Sequence, residues 1–194
     1  MEKLKSSLTN MIVVLVAVAL VTSGLLAVVN HVTEGPKSEK AQKTLADGIK
    51  AVMGTSELTV AEPKTINKDI DGKPFEFTLY EVSDKNGAEL GAAVVSTTMG
   101  FGGDLQVLVG FNQEGNIMGY TVLKHAETPG LGAKADTWFQ KGQKGDIIGK
   151  NPSEPLKVSK DGGQVDAITA STITSRAFLK AINNAYGVYK NGGE

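Results

Sequence analysis

The sequence contains no cysteine, and only two histidines and one tryptophan in 194 residues. Without thiols, the chain can form no disulfide, supply no thiolate nucleophile and ligate no cysteine-held iron–sulfur cluster. His31 and His125 are too few to support a haem or a polyhistidine metal site. A surplus of either charge is also missing. The formal net charge is −1, which leaves no basic excess for nucleic acid. There is no internal repeat. If this chain handles electrons, an organic cofactor has to carry them. What is present suffices for a folded core: 41% hydrophobic and 21% charged residues. The length suits one ordinary domain plus an anchor.

Met11 to Val29 is apolar except for Thr22, Ser23 and Gly24, and no charged residue lies between Lys5 and Glu34. A bilayer core needs ~20 such residues. A cleaved signal peptide is the alternative, but its apolar region is shorter, about 7–15 residues. Asn30-His31-Val32 also makes a poor cleavage site. The expectation is a retained helix over 11–30 that contacts membrane lipid. Lys3 and Lys5 precede it, partly offset by Glu2, while Lys37 and Lys40 lie further beyond. The positive-inside tendency then leaves residues 1–10 in the cytoplasm of a bacterial cell and the domain on the extracytoplasmic side of the cytoplasmic (inner) membrane.

A connecting helix is expected over 31–54. From Pro36, at a first-turn position, Ala41, Leu45, Ile49 and Val52 recur at near-helical spacing, and Gly54 supplies a stop. Residues 55–194 then form the domain. Phe75–Val82, Glu89–Thr98, Leu105–Phe111 and Ile117–Leu123 read as strands, with turns at Asp71-Gly72, Ser83–Gly87 and Glu114-Gly115-Asn116. The last pair reads as a hairpin. A short helical piece follows around Ala133–Gln140, then a polar Gly- and Lys-rich stretch from Lys141 to Gly163. Ile173, Ala177, Phe178, Ile182, Ala185, Tyr186 and Tyr189 mark one face of a C-terminal helix. The order predicts an α+β fold with a mainly antiparallel sheet and flanking helices.

Two nucleotide-loop patterns fail. In Gly100-Phe101-Gly102-Gly103 the third glycine of a dinucleotide fingerprint would fall on Leu105, and a strand follows. Between Gly145 and Gly149-Lys150 there are three residues where a phosphate loop needs four, and Asn151 stands in place of Ser or Thr. No Ser-His-Asp context is visible. One segment stands out: Val165–Arg176, an Asp followed by a hydroxyl cluster and an amphipathic helix. Read from residue types alone, it is a helix N-cap, in which Ser or Thr oxygens accept from first-turn N–H groups.

That segment also resembles the flavinylation sequence of the FMN-binding domain family, commonly Asp-x-x-Ser/Thr-Gly-Ala-Thr. Asp166 matches the acidic position, Thr169 the first hydroxyl and Thr172 the last Thr. Ala170 and Ser171 stand where Gly and Ala are usual. The departure makes Ser171 a competing acceptor. Gly100–Phe111 resembles the family's glycine turn and following strand, and His125–Gly132 its loop before a short helix. With one anchor and one short domain, the chain is similar as a whole to the G subunits of Rnf-type complexes, which couple ferredoxin–NAD electron transfer to ion translocation. The C subunits of sodium-translocating NADH:quinone oxidoreductases share the motif and are the alternative.

The resemblance implies covalent FMN, held as a phosphoester on Thr172 and installed by a flavin transferase. It implies membrane subunits of the complex as partners, and an electron carrier that is not catalytic alone. Thr172 would then be cap and anchor together, with Thr174 in the same hydroxyl-rich turn. Arg176, four residues on, would pair with the phosphate. Glu127 and Thr128 would be polar contacts of the flavin, Gly130 a point of close backbone approach and Leu131 a packing residue; His125 would hydrogen-bond nearby or be structural. Non-covalent FMN binding, or a non-redox domain in which Thr172 only caps a helix, are the other readings.

Overall fold

A computed structural model describes residues 8–70 and 72–191. Lys3 and Lys5, on which the expected orientation rests, and Asp71 of the expected turn lie outside the described residues. The chain divides into two compact units between Lys43 and Thr44. Helix α1, Leu8–Met53, contributes to both.

In the first unit, Leu8–Thr33 is long and apolar enough to cross a membrane, and its apolar side chains are exposed. Among the described residues no protein covers them, and a helix of this length and composition suits a membrane span. The expected span over 11–30 falls inside this stretch.

The second unit is a six-stranded antiparallel sheet with helix on both faces. Its strands are β1 (Leu58–Val60), β2 (Lys64–Ile70), β3 (Lys73–Asp84), β4 (Glu89–Met99), β5 (Asp104–Asn112) and β6 (Ile117–Lys124). The order is β1-β3-β4-β5-β6, and β2 lies along the other half of the edge of β3 that β1 occupies. Beyond the sheet come a 3₁₀ turn (Gly132–Lys134), α2 (Ala135–Trp138), a second 3₁₀ turn (Ser159–Asp161) and α3 (Thr172–Lys190).

Strand β4 explains why its sequence reads as a continuous apolar run. Ala92 and Val94 face the α3 side, while Ala93 and Val95 face the last turns of α1. A strand covered on both faces has no solvent side to keep polar. On the α1 side, Ile49, Val52 and Met53 pack with Val82, Ala93, Val95 and Leu108, with Leu45 against them. The C-terminal part of the expected connecting helix over 31–54, from Thr44 on, belongs to the sheet's unit. Of that helix's periodic apolar residues, Leu45, Ile49 and Val52 are covered by the sheet, while Ala41 is exposed. Gly110 and Gly119, paired across β5 and β6, make this approach close. A Cβ on either would come within 2.9 Å of Val52 backbone atoms. Helix α1 stops at Gly54, whose φ of 68° is left-handed.

On the other face α3 packs against β4 and β5. Phe139 and Phe178 stack at 4.2 Å, Tyr120 meets Phe178 edge-on at 4.8 Å, and Tyr189 stacks on Phe111 at 5.2 Å. The expected face of α3 holds for Ala177, Phe178, Ile182 and Ala185, but Ile173 is 53% exposed. The inner face at that end consists of Thr174 and Ser175 instead. Buried Tyr120 ties the short helix to the sheet. Its hydroxyl donates to Ala135 O (2.8 Å) and accepts from Phe139 N (3.1 Å). Burial pushes its phenol well above the usual range.

Removing the Tyr120 hydroxyl takes a donor from Ala135 O and an acceptor from Phe139 N in the core. Tyr120→Phe should lower stability by about 1–3 kcal/mol. A thermal melt of the detergent-solubilised chain checks this; an unchanged Tm would show that the two groups find other partners.

Candidate functional site

The sheet end where β4 turns into β5 faces the start of α3. Between them the loop after β6 closes a cleft of about 420 Å³, within the ~300–1,000 Å³ of small-molecule sites. Phe101, Glu127, Thr128, Leu131, Gly132 and residues 170–174 line it. Three apolar side chains stand exposed at its walls: Phe101 at 69%, Leu131 at 42% and Ile173 at 53%.

Glu127 is the joint of this site. It is 6% exposed. Oε1 accepts from Phe101 N (2.7 Å) and Gly102 N (3.3 Å), and Oε2 accepts from Thr174 Oγ1 (2.8 Å). The side chain thus ties the β4–β5 turn to α3 from a third segment. The glycines around it follow from the crowding. A Cβ at Gly100 would lie 2.1 Å from Glu127 Oε1, and one at Gly132 would lie 2.3 Å from Oε2. The sequence suggests Glu127 as a polar contact of a ligand. The structure commits both of its oxygens to the protein frame. His125 is structural in the same way: Nδ1 accepts from Glu127 N (3.2 Å) and Nε2 lies 3.6 Å from Asp136 Oδ2.

The hydroxyl cluster separates by helical geometry. Thr174 and Ser175 point inward. Ser175 Oγ donates to Ser171 O (2.9 Å) and accepts from Ile168 N (2.9 Å), which fixes the chain entering the helix. Ser171 occupies the N-cap position, is 8% exposed, and makes no capping bond with its side chain. Thr172 is the first helical residue and half-buried. The expectation that Thr172 caps the helix is corrected here: it stands one position too late to accept from the N2 or N3 amides. Ala170 has a φ of 61°, the one positive value outside glycine among the described residues. It stands where the family pattern has Gly.

Other expected residues are placed as follows. Asp166 is exposed; its Oδ1 accepts from Ser159 Oγ (3.2 Å) and its carbonyl from Trp138 Nε1 (2.8 Å). Thr169 is exposed, outside the cleft lining. Thr128 O accepts from Leu131 N (3.1 Å) and Ala133 N (3.2 Å), forming the turn that presents Leu131. Gly130 serves that turn with a φ of 77° and does not line the cleft. Arg176 donates to both oxygens of Asp161 at 2.7 Å. Those hydrogen bonds hold the Asp161 carboxyl below the usual carboxylate range. The pairing is present above that range and lost only as pH falls through the lowered value. The cation at Thr172 is instead Lys160, whose Nζ donates to Oγ1 at 3.2 Å. Sequence reasoning misses Lys160, because it sits in a polar stretch without periodicity. It also misses Phe101 and Ile173, which are apolar residues on exposed positions.

The glycine turn, the sheet strands after it and the threonine-bearing helix fall together in a segment that matches an FMN-binding domain. The model of that family, described as "FMN-binding domain", matches residues 100–187. Over nearly the whole chain the similarity is more specific. A G subunit of the ion-translocating oxidoreductase complex of Shewanella baltica is 31% identical over 182 residues, covering 89% of this chain and 85% of that protein. The G subunit of the Na(+)-translocating ferredoxin:NAD(+) oxidoreductase complex of Acetobacterium woodii is 33% identical, with 92% and 89% covered. The corresponding G subunit of Methanosarcina acetivorans is 32% identical, with 92% of each covered. The chain belongs to the family of G subunits of ion-translocating oxidoreductase complexes. The crystal structure of Shewanella oneidensis NqrC shares the fold, with a TM-score of 0.54 at 16% identity, covering 77% of this chain and 94% of that one.

Two substitutions test the frame. Glu127→Ala removes three charge-assisted bonds and should cost about 2–4 kcal/mol, with faster amide exchange at Phe101 and Gly102. Protection unchanged at those amides would show that the turn holds itself. At Ala170 the left-handed backbone favours glycine by about 1 kcal/mol, offset by the greater freedom of an unfolded glycine. Ala170→Gly should therefore change stability by less than about 1 kcal/mol, whereas Ala170→Val should lower it by about 1–2 kcal/mol. Denaturant midpoints distinguish the two.

Proposed function

We propose that the chain is a membrane-anchored electron-transfer subunit that carries FMN as a phosphoester on Thr172. It works within an Rnf-type complex that couples ferredoxin–NAD electron transfer to ion translocation. The observation that carries the reading is the position of Thr172. It lies at the lip of the cleft, half-buried, while its neighbours Ser171 and Thr174 are buried at 8% and 1% exposure. Of the helix-start hydroxyls that line the cleft, Thr172 is the one within reach of a transferase. Burial also argues against Ser171 as the competing acceptor.

The residues present fit the cofactor. Phe101, Leu131 and Ile173 give a flat aromatic ring apolar walls, and the cleft has room at about 420 Å³. The start of a 19-residue helix whose N-terminus no side chain caps offers free N–H donors to a phosphate. Bound there, FMN supplies the redox chemistry that a chain without cysteine lacks. The protein's contribution is to hold and shield. Thr172 keeps the group from being lost, the apolar walls displace water, and the Glu127 clamp keeps the walls at fixed separation. With both Glu127 oxygens engaged, the cleft offers no free carboxylate for acid–base work. Electron donor and acceptor come from neighbouring membrane subunits, and a flavin transferase installs the group. The matched relatives are G subunits, which favours this assembly over the C-type alternative. The charges flanking the span support a domain on the extracytoplasmic side.

The test is co-expression with a flavin transferase, then denaturing electrophoresis. The chain should fluoresce, Thr172→Ala should be dark, and Ser171→Ala should keep its flavin. Fluorescence that persists in Thr172→Ala would move the site to Ser171 or Thr169. Flavin released on denaturation of the unaltered chain would make the binding non-covalent.

A further inference from the structure

We propose that Lys160 is the residue that positions the phosphate on Thr172, and that the Asp161–Arg176 pair is the latch holding Lys160 there. The inference rests on the reading of Thr172 as the flavin-bearing residue. Its geometry is independent of any motif. Lys160 Nζ donates to Thr172 Oγ1 at 3.2 Å, and Asp161 accepts two bonds from Arg176 at 2.7 Å each. Residues 160 and 161 are neighbours in one 3₁₀ turn, and 172 and 176 are one helical turn apart on one face. The turn therefore grips the helix at two successive steps.

The backbone that carries Lys160 is fixed from several sides. Val158 bridges to Val165, Ser159 N donates to Val165 O (2.8 Å), and Ser159 Oγ donates to Asp166 Oδ1 (3.2 Å). Gly162 turns the chain with a φ of 79°. A Cβ at Gly163 would lie 2.0 Å from Lys157 O, so the loop closes tightly on itself. With the backbone set, only the Lys160 side chain remains to be ordered. This explains the conspicuous Asp166 of the motif: it fastens the Lys160 turn and lies outside the cleft lining.

The charges are also divided. Asp161 neutralises Arg176 through a bidentate pair, the geometry in which a guanidinium is most strongly held. Lys160 has no such carboxylate among the described residues; its observed bond is to the hydroxyl oxygen itself. An ester at that oxygen places the negative phosphate beside the ammonium. A lysine suits this as a compact charge on a flexible stem, without the planar constraint of arginine. Arg176, expected from sequence to meet the phosphate, acts through Lys160.

The test uses the full chain co-expressed with limiting transferase. The variants are Lys160→Met, Lys160→Arg and Arg176→Met, with Lys64→Met as a control for losing a distant surface charge. Flavinylated fraction is read by intact mass, and the phosphoester by its ³¹P chemical shift in the folded protein. Lys160→Met should lower the fraction roughly fivefold, the size of one partly exposed charge-assisted contact. It should also move the ³¹P signal toward its denatured position. Lys160→Arg should recover most of both, Arg176→Met should fall between, and Lys64→Met should match the unaltered chain. An unchanged fraction and shift in Lys160→Met, with flavin on Thr172, overturns this inference alone. A shift that moves in Arg176→Met but not in Lys160→Met overturns it in favour of Arg176. Flavin absent from Thr172 in the unaltered chain overturns the functional reading, and this inference with it.

Discussion

The buried carboxylate of Glu127 joins three segments that are distant in sequence: the turn after β4, the loop after β6 and the first turn of α3. Each segment carries one of the exposed apolar walls of the cleft, Phe101, Leu131 and Ile173 respectively. The shape of the site is therefore set by a single side chain that is not itself available to a ligand. A carboxylate suits this task because it accepts several bonds at once, and its burial is tolerable only because the protein satisfies both oxygens. The glycine turn is part of the same device. Gly100 and Gly132 leave room for the carboxylate to come close, and Gly102 leaves room for the Ala126 carbonyl, 2.1 Å from where its Cβ would be.

That arrangement gives the hydroxyl-rich start of α3 a division of labour. Residues 171, 174 and 175 lie on the inner side of the helix, and 172, 173 and 176 on the outer. Thr174 completes the clamp, Ser175 fastens the incoming strand, and the Ser171 carbonyl receives the helix's first hydrogen bond. Thr172 is left at the lip of the cleft. Three hydroxyls that look equivalent in sequence are separated by the 100° that each helical residue turns.

The features legible in the sequence are those governed by local rules. Strands β3 to β6, the β5–β6 hairpin and α3 follow from periodicity and turn glycines, and the strands are expected within a residue or two of their observed bounds. Strands β1 and β2 leave no such signal. Lys64–Ile70 is a charged edge strand with only partial burial, and charge at an edge guards against further pairing while erasing the apolar pattern. Periodicity places Ile173 in the core because it is apolar, yet the Glu127–Thr174 bond turns that face inward at Thr174. Lys160 and the engagement of Arg176 by Asp161 are unreadable for another reason. They depend on how a loop without periodicity folds back on a helix, which no local pattern encodes. The motif residues themselves divide likewise: residues 170–172 and 174 reach the cleft, while Asp166 and Arg176 support it from outside.

The N-cap reading and the ligand reading of this segment predict different uses of the same oxygens. In a structural cap, a Ser or Thr oxygen accepts from the first-turn amides and satisfies them. Here the residue at the cap position, Ser171, has a φ of −136° and ψ of 46° and makes no such bond, and Ala170 before it is held in a left-handed conformation. The chain thus holds Ala170 in a left-handed conformation that favours glycine by about 1 kcal/mol before the unfolded-state offset, and forgoes a cap worth about 1 kcal/mol. A fold selected for stability alone has little reason to forgo the cap at 171. The amides left open lie beside Thr172, at the positive end of the α3 dipole, where an anion gains about 0.3–1 kcal/mol. An anion bound at this end of α3 would satisfy those donors in place of a cap. The uncapped start of α3 therefore suits an anionic ligand better than a purely structural cap.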